Sequence, residues 1–240
     1  MHTHPRKVVV VTGAVGNLGR AVARAFQRDG AHLVLLDRGA GRLEREFSDL
    51  AGGHDHLLVD GIELGGAQEE SLRRVVQSAR SRFGRLDVLV NTIGAWRGGS
   101  SVLEAPLADW EFLYAANLQA TLVACRAVVP HLVELGGGSV VNVAARSGLV
   151  GTAGSAAYCA AKSSVLRLTE ALSDEVRGTG VRVNAVLPST IDTPQNRGAM
   201  GGAAAAGWVE PDAIADVILF LASPAARAVH GAAIPVYGAI

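Results

Sequence analysis

Tyr158 and Lys162 stand four residues apart in a stretch, Ala156 to Gly178, that reads as a helix. Residues so spaced share a helix face, and an ammonium there can sit alongside a phenol. A free phenol has a pKa of about 10, too high for a good base at neutral pH, and nearby positive charge favours the phenolate. The pair therefore reads as a proton donor or acceptor with its electrostatic partner. An ordinary amphipathic helix surface is the bland alternative.

A second constellation lies near the N-terminus. Val8-Val9-Val10-Val11 runs straight into Thr12-Gly13-Ala14-Val15-Gly16-Asn17-Leu18-Gly19 and then into the helical run from Arg20 to Phe26. A strand, a glycine-rich turn and a helix N-terminus aim unpaired N–H groups and a positive dipole end at one point, where a pyrophosphate can sit. A tight strand-to-helix connection without a ligand has the same appearance. The second strand ends at Asp37, placed where an acid meets adenosine ribose hydroxyls; this favours NAD(H). Arg38 beside it offsets some of the repulsion toward a 2′-phosphate and leaves NADP(H) open. Asp60, at the end of the third strand, is placed for an adenine amino group or for water.

These groups need a scaffold. Short Val/Leu-rich runs at Val8–Val11, Leu33–Leu36, Leu57–Val59, Val88–Val90, Val140–Val143, Val181–Val186 and Ala233–Val236 alternate with helical patterns at Gly19–Asp29, Leu43–Leu50, Gln68–Phe83, Asp109–Leu135, Ala156–Gly178 and Pro211–Leu221. Apolar runs without alternation suit strands covered on both faces. The pattern predicts a single-domain α/β fold over residues 1–240, a Rossmann-like doubly wound parallel sheet of about seven strands. From Pro188 to Trp208 the pattern dissolves into glycine and alanine, as in a flexible substrate loop or a featureless surface loop.

Acidic and basic side chains balance at 22 each, so the chain lacks the global charge expected of a nucleic-acid or anionic-membrane binder. Met1–Lys7 reads as a frayed terminus without the apolar stretch of a secretory signal. No uninterrupted apolar run reaches the roughly 18 to 20 residues of a membrane span. Cys125 and Cys159 read as buried small residues in a reducing, cytoplasmic setting.

Thr12-Gly13 with Gly19, Asn91-Thr92-Ile93-Gly94 after the fourth strand, Asn117, and Tyr158-Cys159-Ala160-Ala161-Lys162 together resemble the short-chain dehydrogenase/reductase family, in the right order over nearly the whole chain. The resemblance implies that an oxidised nicotinamide assists Tyr158, that Lys162 also holds the nicotinamide ribose, and that Asn117 positions a proton-relaying water. It also implies a cofactor pocket lined by Gly13, Val15, Asn17, Leu18, Gly19, Asp37, Arg38, Asp60, Gly61, Asn91, Ile93, Gly94, Pro188, Thr190 and Thr193.

The departures are informative. Thirteen residues before Tyr158 the family carries a serine that donates to the substrate oxygen; here that position is Ala145. Ser147 and Ser155 are nearby hydroxyls out of register. Asn17 occupies the second glycine position, where asparagine's tolerance of left-handed backbone would preserve phosphate binding, and Pro188-Ser189 replaces Pro-Gly. Dihydropteridine reductases also carry alanine for serine, and Gly94-Ala95-Trp96-Arg97-Gly98-Gly99 and Leu187–Arg197, with Met200 and Trp208, are similar to their segments. That likeness implies hydride transfer to a conjugated or C=N-containing acceptor, with Trp96 as a stacking surface. An alcohol/ketone pair, with Ser147, Thr190 or a water replacing the serine, is the first alternative; a catalytically silent dinucleotide-binding sensor or scaffold is the second. Apolar residues beyond one core stripe, Leu118, Leu122, Val123, Val165, Leu166 and Leu168, call for a partner surface, and the family resemblance implies that these helices form dimer and tetramer contacts, so a homo-oligomer acting on a small molecule is expected.

Overall fold

Four valines and a threonine form β1 (Val8–Thr12), and none of the five is more than 1% exposed. Branched side chains buried on both faces are the signature of a central parallel strand. In the computed structural model, which describes residues 6–63, 69–201 and 205–239, β1 lies between β2 (His32–Leu36) and β4 (Val88–Asn91). With β3 (His56–Val59), β5 (Gly138–Val143), β6 (Val181–Pro188) and β7 (Ala233–Val236) they form a seven-stranded sheet, order β3-β2-β1-β4-β5-β6-β7. Every pairing is parallel, as the unalternating apolar runs require.

One face of the sheet is covered by α1 (Asn17–Arg28) and α8 (Pro211–Leu221), around Phe26, Leu33 and Ile218. The other is covered by α3 (Glu69–Phe83) and α5 (Ala120–Leu135), around Leu72, Leu89 and Leu132. Helix α6 (Ala156–Glu175) packs on β6, with Val165 and Leu166 against Ala185 and Leu187. Strand order reverses between β1 and β4, so their following loops diverge and leave a crevice at the carboxyl edge. A buried amide chain ties this region together: Asn91 Nδ2 donates to Asn142 Oδ1 at 2.9 Å, and Asn142 Nδ2 to Thr169 Oγ1 on α6 at 2.9 Å.

The helix expected over Asp109–Leu135 is present and starts two residues earlier, α4 (Leu107–Leu113) and α5 running on continuously through a π-helical turn at Tyr114–Gln119. Other expectations need correction. This 29-residue helix is long and apolar enough to cross a bilayer, although the sequence has no unbroken apolar run; 56% of its most apolar stretch is buried in the domain. Its scattered charged residues interrupt the run without removing the overall hydropathy. The stretch 188–208 is not patternless: it contains α7 (Pro194–Met200), and Ile191 bridges to Val209. Thr193 caps α7, its Oγ1 accepting from Asn196 N at 3.1 Å, and Pro194 fixes the first helical φ. Val123, Val165 and Leu166, expected on an outer face, are at most 8% exposed and belong to the core, because α5 and α6 bury more than one stripe. Residues 1–5 of the expected frayed terminus, Gln68, 202–204 of the glycine-alanine loop and Ile240 lie outside the described residues.

The β1–α1 turn is tight enough to be sensitive to one methyl group. A Cβ on Gly19 would overlap the Gly13 carbonyl oxygen and sit 2.9 Å from Ala14 Cα, both backbone atoms with no room to yield. Gly19→Ala is expected to cost about 2 kcal/mol or more, read as a lowered urea midpoint at unchanged slope.

Candidate active site

The glycine turn presents the open N-terminus of α1 at the carboxyl edge of the sheet. Gly13 has a left-handed φ of +67°, turning the chain beneath Ile93. Thr92 Oγ1 donates to the Thr12 carbonyl at 2.6 Å and fastens the turn to β4. Gly16 is the N-cap of α1 and offers no side chain to its N-terminal N–H groups, which therefore face the crevice without a side-chain acceptor. Asn17 is the first residue of α1, and no described non-glycine residue has positive φ. The expected use of left-handed asparagine backbone is thus not what happens; the helical start accommodates the side chain instead. Asn17 Nδ2 donates to Gln195 Oε1 on α7 at 2.8 Å, a contact that no local pattern foretells.

Asp37 follows β2 at the same edge of the sheet. It is 6% exposed, with Oδ1 accepting from Gly39 N at 3.1 Å and Oδ2 from Val15 N at 3.4 Å. Arg38 is exposed, whereas Arg42, which sequence reasoning missed, reaches Asp37 Oδ1 at 3.4 Å. Asp60 Oδ1 accepts from Leu43 N at 3.3 Å, bracing the start of α2 (Arg42–Glu46), and Gly61 turns the chain beyond it with φ +77°. On the opposite wall lie Pro188 at the end of β6, then Thr190, whose carbonyl accepts from Val209 N at 3.1 Å, and Thr193 at the α7 cap. Leu18 is buried against the core beneath the turn.

Lys162 is 4% exposed and its Nζ donates to the Val143 carbonyl at 2.9 Å. A Cβ on Gly94 would lie 3.0 Å from that Nζ and 2.9 Å from Asn117 Oδ1, so the lysine, the Gly94 backbone and Asn117 meet at one point. Asn117 sits in the π-helical turn, a feature frequent at functional sites. Its Nδ2 donates to the Ala95 and Leu113 carbonyls at 3.0 and 2.9 Å, and its Oδ1 accepts from Ala95 N at 3.3 Å, tying the loop after β4 to the helix. Thr121 Oγ1 takes the Asn117 carbonyl at 2.7 Å.

Tyr158 is half-buried one turn before Lys162. In the protein by itself burial, with a smaller repulsion from Cys159, pushes its phenol up to about 12, while burial pushes the Lys162 ammonium down to about 8. In the protein by itself desolvation sets the direction for the phenol, and Lys162 bonds to the Val143 carbonyl. Ala145 has extended backbone, is 8% exposed and leads into a 3₁₀ turn, Arg146–Gly148, containing the half-buried Ser147. Trp96 is 63% exposed above the mouth.

A parallel doubly wound sheet, an anion-receiving turn at its switch point and a Tyr/Lys pair beside it define a dinucleotide-dependent oxidoreductase scaffold. The short chain dehydrogenase profile matches residues 7–200, and the chain belongs to that family. It is 34% identical over 245 residues to meso-2,3-butanediol dehydrogenase of Serratia marcescens, covering 97% of this chain and 93% of that one. To D-threitol dehydrogenase of Mycolicibacterium smegmatis it is 33% identical, covering 97% and 92%. The structure of ElxO, solved with NADP bound, superposes with a TM-score of 0.87 at 23% identity, covering 97% of this chain and 98% of that one, and shares its fold.

The buried ammonium carries a cost that pH reveals. Lys162 falls from 10.5 in the unfolded chain to about 8 when folded. Between those values the unfolded state binds the extra proton, so this site's contribution to stability rises with pH and is least favourable below about pH 8. Lys162→Met is expected to raise the cofactor-free chain's stability at pH 7 by on the order of 2 kcal/mol. The gain shrinks as pH climbs toward 10.5; denaturant melts at several pH values check both points. Asn17→Gly, which removes the tie to α7, is expected to speed NADH release severalfold in stopped-flow fluorescence.

Proposed function

We propose that the chain interconverts a secondary alcohol and its carbonyl compound using NAD(H) in preference to NADP(H), with Tyr158 exchanging the proton at the substrate oxygen. The observation that carries this reading is the ammonium of Lys162, buried one helical turn from Tyr158 with, among the described residues, the Val143 carbonyl as its one hydrogen-bond partner. Desolvating a cation so thoroughly is unfavourable, and structure alone gains little from it, as expected of a group retained for chemistry. The dinucleotide, when bound, supplies or accepts the hydride.

Lys162 then has two N–H groups left beyond Val143 to hold the nicotinamide ribose. Its charge, with that of the oxidised ring, opposes the burial that keeps the Tyr158 phenol protonated. In reduction the phenol gives its proton to the substrate oxygen; in oxidation the phenolate receives it. Asn117 holds the loop after β4 in place and, through its position in the π-helical turn, lines the proton path. The Asp37 carboxylate, braced by Gly39 N–H, supports NAD(H), because a 2′-phosphate there would meet a negative charge. Both names among the relatives described above are those of alcohol dehydrogenases, which supports the alcohol/carbonyl reading.

Ala145 supports a second reading, in which the acceptor is a conjugated or C=N-containing ring that needs no serine to polarise it, with Trp96 as its stacking surface. Restoring the hydroxyl separates the two. Ala145→Ser is expected to raise ketone turnover about tenfold, the worth of one hydrogen bond to developing charge, and to leave reduction of a quinonoid dihydropterin unaltered. Tyr158→Phe is expected to lower kcat by at least about a hundredfold with NADH affinity unchanged. Equal, measurable rates in mutant and parent would remove Tyr158 from the proposed role, whereas absence of turnover by the parent on every acceptor would favour the silent-sensor reading.

Two free, buried cysteines support a reducing, cytoplasmic setting. Leu122, Val133 and Leu135 on α5 and Phe220 on α8 are 37–47% exposed, which supports a homo-oligomer, dimer or tetramer. Light scattering at micromolar concentration is expected to give a multiple of the 24.7 kDa chain mass.

A further inference from the structure

Arg146 follows Ala145 directly and opens the 3₁₀ turn at the end of β5. That turn is clamped to the catalytic helix: Gly148 N donates to the Ala145 carbonyl at 2.9 Å, and a Cβ at Gly148 would sit 3.0 Å from the Lys162 carbonyl. The Arg146 guanidinium lies over the Tyr237 ring, 5.0 Å from its centroid. Tyr237 is itself fixed, its carbonyl accepting from Ser189 Oγ at 2.7 Å just past the end of β6. The ends of β5, β6 and β7 thus converge on one exposed cation at the same edge of the sheet as Tyr158.

Two neighbouring arginines at this edge already have acids, Arg97 with Asp109 and Arg197 with Asp192. Arg146, among the described residues, has no carboxylate within ion-pair distance and donates no hydrogen bond. Stacking on an aromatic ring orients a guanidinium while leaving its N–H edges free. We propose that Arg146, seated on Tyr237, is a carboxylate subsite, so that the substrate is an alcohol or carbonyl compound bearing a carboxylate away from the reacting carbon. A guanidinium fork matches a carboxylate in paired hydrogen bonds. With Arg97 and Arg197 neutralised by their acids, one guanidinium is left unpaired among these three arginines and balances a single negative charge, which selects a carboxylate over a phosphate dianion. Leu149 and Val150, 53% and 69% exposed directly after the turn, give apolar surface for the carbon chain between the two ends.

This inference rests on the hydride-transfer reading, and its test separates the two. A series of oxo acids of increasing chain length and their methyl esters is assayed with NADH on the parent, Arg146→Met and Arg146→Lys. The acid is expected to exceed its ester in kcat/KM by about tenfold or more, mainly through KM. Arg146→Met erases the preference and leaves ester turnover intact; Arg146→Lys keeps part of it. Calorimetric titration of NADH-loaded Tyr158→Phe protein with the same acids, with and without Arg146→Met, reads the preference without turnover. An acid-to-ester ratio unmoved by Arg146→Met, or acid binding unmoved in the titration, overturns the subsite. Failure of every compound to turn over, with Arg146-dependent acid binding intact, counts against the hydride-transfer reading and leaves the subsite standing.

Discussion

The structure turns on one buried charge. Lys162 places an ammonium inside the domain with one protein acceptor, and everything around it serves to make that tolerable: β5 offers the Val143 carbonyl, the loop after β4 passes as bare glycine at Gly94, and the π-helical turn delivers Asn117. Removing a positive charge from water is costly unless partners replace the lost hydration. A single carbonyl replaces only part of it, which is why the ammonium's proton is held less tightly than in water. A ligand that brings hydroxyls or negative charge, such as a ribose beside a pyrophosphate, is chemically suited to supply the remainder.

That debt also explains the architecture of the crevice. The switch point between β1 and β4 brings the N-terminus of α1 and the loop after β4 to one edge, where an elongated, negatively charged ligand can reach from Asp37 to Lys162. Opposite signs at the two ends of that path give it direction: the Asp37 carboxylate at one end, the Lys162 ammonium at the other, and open N–H groups between. Ala145 interrupts the usual arrangement only on the substrate side, so the dinucleotide-binding half is unaffected by what the acceptor demands.

Much of this was legible in the sequence. All seven strands appear where unalternating Val/Leu runs placed them, because burial on both faces is written directly into composition. The Tyr158–Lys162 spacing put both residues on one helix turn for equally local reasons. What could not be read was long-range or conformational. The π-helical turn at Asn117 leaves no compositional mark, and the Asn17–Gln195 bond joins residues 178 positions apart. Arg42 and Arg146 were within reach, each lying a few places from a residue already singled out, but nothing in a linear pattern says which exposed arginine faces a crevice. The helix in 188–208 was hidden by glycine and alanine, although Thr193-Pro194 is a recognisable helix start.

The buried amide chain through Asn91, Asn142 and Thr169 has a further effect. Asn91 and Asn142 are register partners on β4 and β5, and Thr169 is two turns beyond Lys162 on α6. Sliding α6 along the sheet by even one residue would strand an amide away from water, so the helix has one permitted height rather than a continuum. The chain therefore works as a ruler, setting the elevation of the phenol above the sheet from a point well below the crevice. Loops around the mouth can then diverge in sequence and shape, changing what is admitted, while the reacting oxygen stays at a fixed level.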